Sequence, residues 1–260
     1  MVGLTYSVHR RPLHEIRQAC RTCNLADLCL PLMLSPEDID ALDRIVRRRR
    51  PLTKRGVLYR AGERFGAIYA VRSGSLKRVS LTEDGEEQIT AFHLPGELLG
   101  LDAITFDRYP CTAVALETTS VCEIPFAQLE DLATEVPGLQ RQLLRIMSRE
   151  IFNEQEMLRT LARRTAEQRL AILLLSLSER FARRSLSSTR FRLPMLRHDL
   201  SNYLGLASET TSRLFRRFVE QRRIVVSGCE VELIDIHALR SLAGSGSEEG
   251  GRDQHATGGA

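Results

Sequence analysis

A chain of 260 residues that is 43% hydrophobic has material for two small cores, and its net charge of +4 is a mild basic bias that neither demands nor excludes a nucleic-acid partner. No apolar run approaches the length of a membrane span, and the opening stretch MVGLTYSVHRRPLHEIRQAC lacks the apolar centre of a secretory signal. A cytoplasmic chain is therefore expected, and a framework of disulfides is not.

The first segment, 1–30, is marked by its thiols. Cys20, Cys23 and Cys29 follow the spacing C-x2-C-x5-C, and only Cys111, Cys122 and Cys229 lie elsewhere. Crowded cysteines in a reducing compartment point to a metal or to free thiols. A structural zinc and an iron–sulfur centre both take soft thiolate ligands and both want a fourth one. Spacing alone leaves the two open. Cys122, inside the strand-like TSVCEIPF, reads by itself as a small core residue.

Residues 31–136 follow as a β domain. Gly62, Gly74, Gly85 and Gly96 fall 12, 11 and 11 residues apart, with AIYAV, SLKRVSL and QITAFHL between them. Short β-branched and aromatic runs between such turn signals predict an antiparallel sandwich or barrel.

A different rhythm begins at Pro137 and Gly138, after which neither residue type recurs until past Phe191. Residues 137–162 are predicted to form one long helix. Leu144, Met147, Ile151, Leu158 and Leu161 lie 3, 4, 7 and 3 positions apart, an a/d seam whose skipped position is Glu154. Such a seam packs either on its own domain or on a second copy. The helix is long enough to extend past one small domain, which favours the second copy.

Residues 163–243 read as a helical domain that ends in a hairpin, and the glycine-rich tail 244–260 is expected to be disordered. Within the domain, RHDLSNYLGLASETTSRLFRRFVEQ reads as helix, turn, helix. Gly205 marks the reversal, Ser208 is a candidate N-cap, and Leu214, Phe215 and Phe218 form an inner face. Glu209, Ser212 and Arg213 share one outer face at the helix N-terminus. Glutamate can accept from cytosine N4 and arginine can fork to guanine, so these residues suit base reading. A plain surface ion pair is the alternative. Residues 197–223 hold six arginines against three acids, which tips the balance toward DNA. Arg197, Arg216, Arg217 and Arg222 are candidates for phosphate contact.

This order of thiols, β domain, long helix and winged helix-turn-helix resembles the CRP/FNR family of bacterial transcription regulators. Cys20, Cys23 and Cys29 with the distant Cys122, together with E209-T-T-S212-R213, are similar to the FNR oxygen regulators of the Anr type. The resemblance runs from about residue 14 to 240 and implies an α+β fold: an antiparallel β-roll sensor domain, a dimerisation helix and a winged helix-turn-helix. It implies that Cys20, Cys23, Cys29 and Cys122 hold one oxygen-labile [4Fe-4S] cluster per subunit, while Cys111 and Cys229 match no cluster position. It also implies a homodimer when the cluster is intact and a monomer after oxygen exposure. The DNA site would be TTGAT, a four-base spacer and ATCAA. RNA polymerase would be a further partner, touched through the acidic turn LTEDGEEQ, for which a solvated hairpin tip is the alternative reading.

One departure is expected to matter. Cyclic-nucleotide-binding relatives follow the turn P95-G-E-L with an arginine that holds the phosphate, but here the corresponding stretch reads Y109-P-C-T-A. A bare Glu97 without an opposing guanidinium would not hold a phosphate, so no cyclic nucleotide is expected. An electron carrier is a weak rival, because there is thiol for only one cluster and no flavin or nucleotide motif.

Overall fold

The structure is a computed structural model, and it describes residues 20–244. The opening stretch and residues 245–260 of the tail expected to be disordered lie outside the described residues.

Two short 3-10 turns, Cys20–Thr22 and Ala26–Leu28, carry the clustered thiols into α1, Pro36–Ile45. The Ser35 hydroxyl accepts from the Asp38 N–H at 3.2 Å and Pro36 opens the helix, a pairing that fixes its start. The strands follow: β1 Arg47–Arg48, β2 Val57–Tyr59, β3 Ala67–Ser73, β4 Leu76–Leu81, β5 Glu87–His93, β6 Leu98–Leu99, β7 Thr112–Ala115 and β8 Ser120–Pro125. They form two antiparallel sheets, ordered β1-β8-β3-β6 and β2-β7-β4-β5. Each of the four spaced glycines falls in a turn between consecutive strands.

β3 shows why the sheets pack on both faces. Ala67, Tyr69 and Val71 point into the core between the sheets, with Tyr59, Leu76 and Tyr109. Ile68 and Ala70 alternate to the other face. There they meet Leu30, Leu42 of α1, Leu129 of α2 (Phe126–Glu135) and Leu139 of α3 (Pro137–Arg163).

α3 spans 27 residues, about 40 Å at the usual rise. Only Leu139, Gln142 and Thr160 are buried along it. Leu144, Ile151 and Leu158 are 61%, 57% and 67% exposed. An apolar stripe of that kind has no partner among the described residues.

α4, Ala166–Ala182, starts without a glycine or proline. Thr165 and Gln168 make a reciprocal capping box instead. The rest of the domain is β9 Arg190–Arg192, α5 Arg197–Leu204, α6 Ser208–Glu220, β10 Ile224–Ser227, β11 Glu230–Leu233 and α7 Ile236–Ala243, with a sheet ordered β10-β11-β9. Its core is continuous with the outer face of the second sheet, where Val79, Ile89, Phe92 and Leu94 join it. Phe218 is fully buried at its centre. Phe218→Ala is expected to cost about 3–5 kcal/mol, read as a lower urea midpoint of the helical signal.

Candidate metal centre and nucleic-acid interface

Cys20, Cys23, Cys29 and Cys122 line one pocket. The 3-10 turns curl the first three thiols together: the Cys23 N–H donates to the Cys20 carbonyl at 3.3 Å and the Cys29 N–H to the Leu25 carbonyl at 3.1 Å. Cys122 arrives from β8, opposite Ala70 of β3 and Arg48 of β1. Leu25, Leu30, Leu42 and Ile124 make the remaining wall largely apolar. Among the described residues no carboxylate or imidazole lines it, and no three ligand side chains stand ready to hold a single metal ion. The donor set is therefore four thiols in an apolar pocket, which fits iron–sulfur ligation.

Burial pushes the Cys29 thiol up to about 12. Burial, and then the neighbouring Asp43 carboxylate, raises Cys20 well above the ordinary thiol range. Cys122 is raised by burial against the pull of Arg48 and Arg72. Without a cation these thiols hold their protons, so ligation must release them. Asp43 accepts from the Cys20 N–H at 3.1 Å and from Arg48 at 2.7 Å, tying the cysteine segment to the sheet. Cys111 is buried in the separate inter-sheet core, 3.5 Å from Asp102, and Cys229 is exposed at the wing turn. Neither lines the pocket.

The proposed nucleotide turn differs from expectation. Glu97 is not bare, because it faces Arg180 and Arg184 of the chain's own α4. Burial alone would raise its carboxyl, but these two guanidinium groups hold it down at about 2. A further cation, the buried Arg78 on β4, pairs with Asp102 at 3.3 Å and with Glu154 of α3 at 2.7 Å. Glu154 thus has a basic partner from outside its helix, which neighbours on the helix alone do not supply. The signal for Arg78 lay in the alternation of SLKRVSL, where it shares the inward face with Leu76.

At the C-terminal end, Gly205 closes α5 with φ +61° and turns the chain into α6. Ser208 is the first residue of α6, and Ala207 takes the N-cap position. The Ser208 hydroxyl lies 3.1 Å from that of Ser201, bridging the turn instead of capping. Leu214, Phe215 and Phe218 are buried as the inner face. Glu209, Ser212 and Arg213 are exposed together on the outer face, with Arg213 and Glu209 paired at 3.1 Å. Arg216 and Arg222 are exposed, and Arg217 is exposed while bonding Glu167 of α4. Arg197 departs from the expected phosphate role. Its guanidinium stacks on the Phe215 ring at 3.3 Å, and its Nη1 is buried. It braces α5 on α6.

Among the described residues, no helix is long and apolar enough to cross a membrane. The family model described as "Cyclic nucleotide-binding domain" matches residues 49–136, and that described as "Crp-like helix-turn-helix domain" matches 168–242. The chain is 54% identical over 231 residues to the transcriptional activator protein Anr of Pseudomonas protegens, covering 89% of this chain and 94% of the relative. It is 45% identical over 229 residues to the fumarate and nitrate reduction regulatory protein of Vibrio cholerae, covering 88% and 92%. Among solved structures, FixK2 from Bradyrhizobium japonicum matches with a TM-score of 0.70 at 29% identity, over 76% of this chain and 97% of that one. A β-sheet sensor domain, a long helix and a helix-turn-helix stand here in the order those regulators share, and the chain belongs to the FNR-type transcription regulators of the CRP/FNR family, not to the enzymes.

Proposed function

We propose that the chain is an oxygen-responsive global regulator that activates or represses genes of anaerobic metabolism from TTGAT-N4-ATCAA sites in the cytoplasm. The observation that carries this reading is the convergence of four thiols, three from one segment and Cys122 from a distant strand, on one apolar pocket. Cys20, Cys23, Cys29 and Cys122 would hold one [4Fe-4S] cluster per subunit, whose chemistry there is reactivity toward oxygen. Ligation of these thiolates would fix the segment against β8 and, through Leu30 and Leu42, against the core that seats the start of α3. Two chains would pair along Leu144, Met147, Ile151, Leu158 and Leu161. The exposure of Leu144, Ile151 and Leu158 supports that seam. The exposed hairpin tip at 81–87 is the surface offered to RNA polymerase. Glu97 spends its carboxylate on Arg180 and Arg184, which supports the absence of a cyclic-nucleotide partner.

A dimer with two recognition helices reads an inverted repeat whose half-sites lie about one helical turn apart. In the free chain Arg213 bonds Glu209 on the surface, a pair worth only about 0.2–0.5 kcal/mol. A bidentate contact to guanine discriminates by about 1–3 kcal/mol, so the base wins. Arg213→Ala is therefore expected to lose about 1–3 kcal/mol on the inverted repeat and to relax choice at one G·C pair. Arg217→Ala should weaken all sequences alike and lower the salt slope by about 1. Titration of labelled specific and random duplexes at several salt concentrations tests both. Equal losses on the two duplexes for Arg213→Ala would count against base reading.

A further inference from the structure

The turn from Leu94 to Leu98 stands between two regions that are far apart in sequence. On one side it meets the cysteine segment. Gly96 lines the thiol pocket, has φ +89°, and a Cβ added there would stand 2.8 Å from the Leu28 Cβ. Leu28 lies directly before Cys29. The Gly96 N–H donates to the Val71 carbonyl at 2.7 Å, and the Val71 N–H donates to the Glu97 carbonyl at 3.0 Å. The turn is thus pinned to β3 and has no slack toward Leu28.

On its other side the same turn meets α4, the first helix of the DNA-binding domain. One Glu97 oxygen accepts from Arg180 at 3.0 Å and from Arg184 at 2.6 Å. The other accepts from Arg180 at 2.6 Å and from the Leu94 N–H at 3.0 Å. Arg180 also donates to the Phe92 carbonyl at 2.6 Å, and Arg184 to the Pro95 carbonyl at 2.7 Å. Charge-assisted bonds in a largely buried place are the strong ones, and four donors fix the direction of the carboxylate. Other polar ties between the two domains include Lys77 to Asp199 at 2.7 Å and the Ile89 N–H to Asn202 at 2.6 Å, which lie on β4 and β5, and Arg192 to Glu117 at 3.5 Å, which follows β7. None of these residues lines the thiol pocket.

We propose that the 94–98 turn couples the thiol pocket to the seating of the DNA-binding domain, with Glu97 as the positioning residue. This rests on the reading of the four cysteines as the sensing site, and it adds a second output route beside the seam of α3. A shift of Leu28 has to move Gly96, because close-packed atoms leave no room to absorb it. Glu97 is the next residue, and its three bonds to guanidinium donors carry the shift to Arg180 and Arg184. Coupling between two sites is reciprocal, so loosening the α4 end must also loosen the cysteine segment.

Hydrogen–deuterium exchange on the full chain, reduced and free of iron, tests this without any cluster chemistry. Glu97→Gln and Arg184→Gln are each expected to speed exchange at least tenfold in α4 and also in 23–29, which neither side chain touches. Leu28→Ala should do the same in the opposite direction and reach α4. Lys77→Gln is the control, expected to loosen α5 alone. Should Glu97→Gln fail to fold, Arg184→Gln and Leu28→Ala read the same coupling from either end. Faster exchange in α4 with 23–29 unchanged, or no change in either, would overturn the proposal. Iron counts on the parent chain test the cysteine reading separately, so the two failures are distinguishable.

Discussion

Glu154→Ala is expected to leave the protein dimeric and bound to the inverted repeat in air. Glu154 lies in the middle of the seam, three residues after Ile151 and four before Leu158, and its side chain is 57% exposed in the single chain. A symmetric parallel pairing of α3 brings two such carboxylates together. Arg78 offsets this only in part, because its single charge is shared between Glu154 and Asp102. Stripping water from an incompletely paired group costs about 1–3 kcal/mol, so two copies cost about 2–6 kcal/mol. Moving a two-state balance from almost all monomer to almost all dimer takes about 5.5 kcal/mol. The two figures are of one size, which is the condition for a pairing that a ligand is able to switch. Removal of the carboxylate leaves Arg78 its bond to Asp102 and leaves the seam wholly apolar. Sedimentation in air, with binding to the repeat measured on the same samples, decides it. A variant that is monomeric in air, as the parent is expected to be, would remove Glu154 from the switch.

Single Cys→Ser changes at Cys20, Cys23, Cys29 and Cys122 are each expected to abolish the cluster, while Cys111→Ser and Cys229→Ser keep it. Each of the four would supply one thiolate, and a missing ligand would leave an iron with an open position. Cys111 and Cys229 stand outside the pocket, one in the inter-sheet core and one at the wing turn. Iron and sulfide assayed on six variants made without oxygen give the answer. A full cluster in Cys122→Ser, or its loss in Cys111→Ser, would replace the ligand set.

Local features were the ones legible in the sequence. The helix-turn-helix was readable because Gly205, the outward Glu209 and Arg213 and the inward Leu214, Phe215 and Phe218 all lie within one short stretch. The strands of the sensor domain were readable from evenly spaced turn glycines. The break between α3 and α4 falls close to the expected boundary at 162–163, but the Thr165–Gln168 capping box that makes it, without glycine or proline, was not singled out. Long-range partners were hidden for a different reason. Glu97 finds its guanidinium groups 83 and 87 residues away, and Arg78 reaches Glu154 across 76. No periodicity within either element encodes such a meeting. The convergence of Cys122 with the first three thiols is of the same kind: strand pairing places it, and only a family resemblance singled it out beforehand.

Four thiols, once ligated, would set the pairing of two chains. Sedimentation of protein purified without oxygen, with iron and sulfide counted on the same sample before and after air, tests it most directly. The expected result is a brown dimer with about four irons and four sulfides per chain that bleaches in air and becomes a monomer. A colourless protein holding one zinc, or a dimer unchanged by loss of its iron, would contradict it.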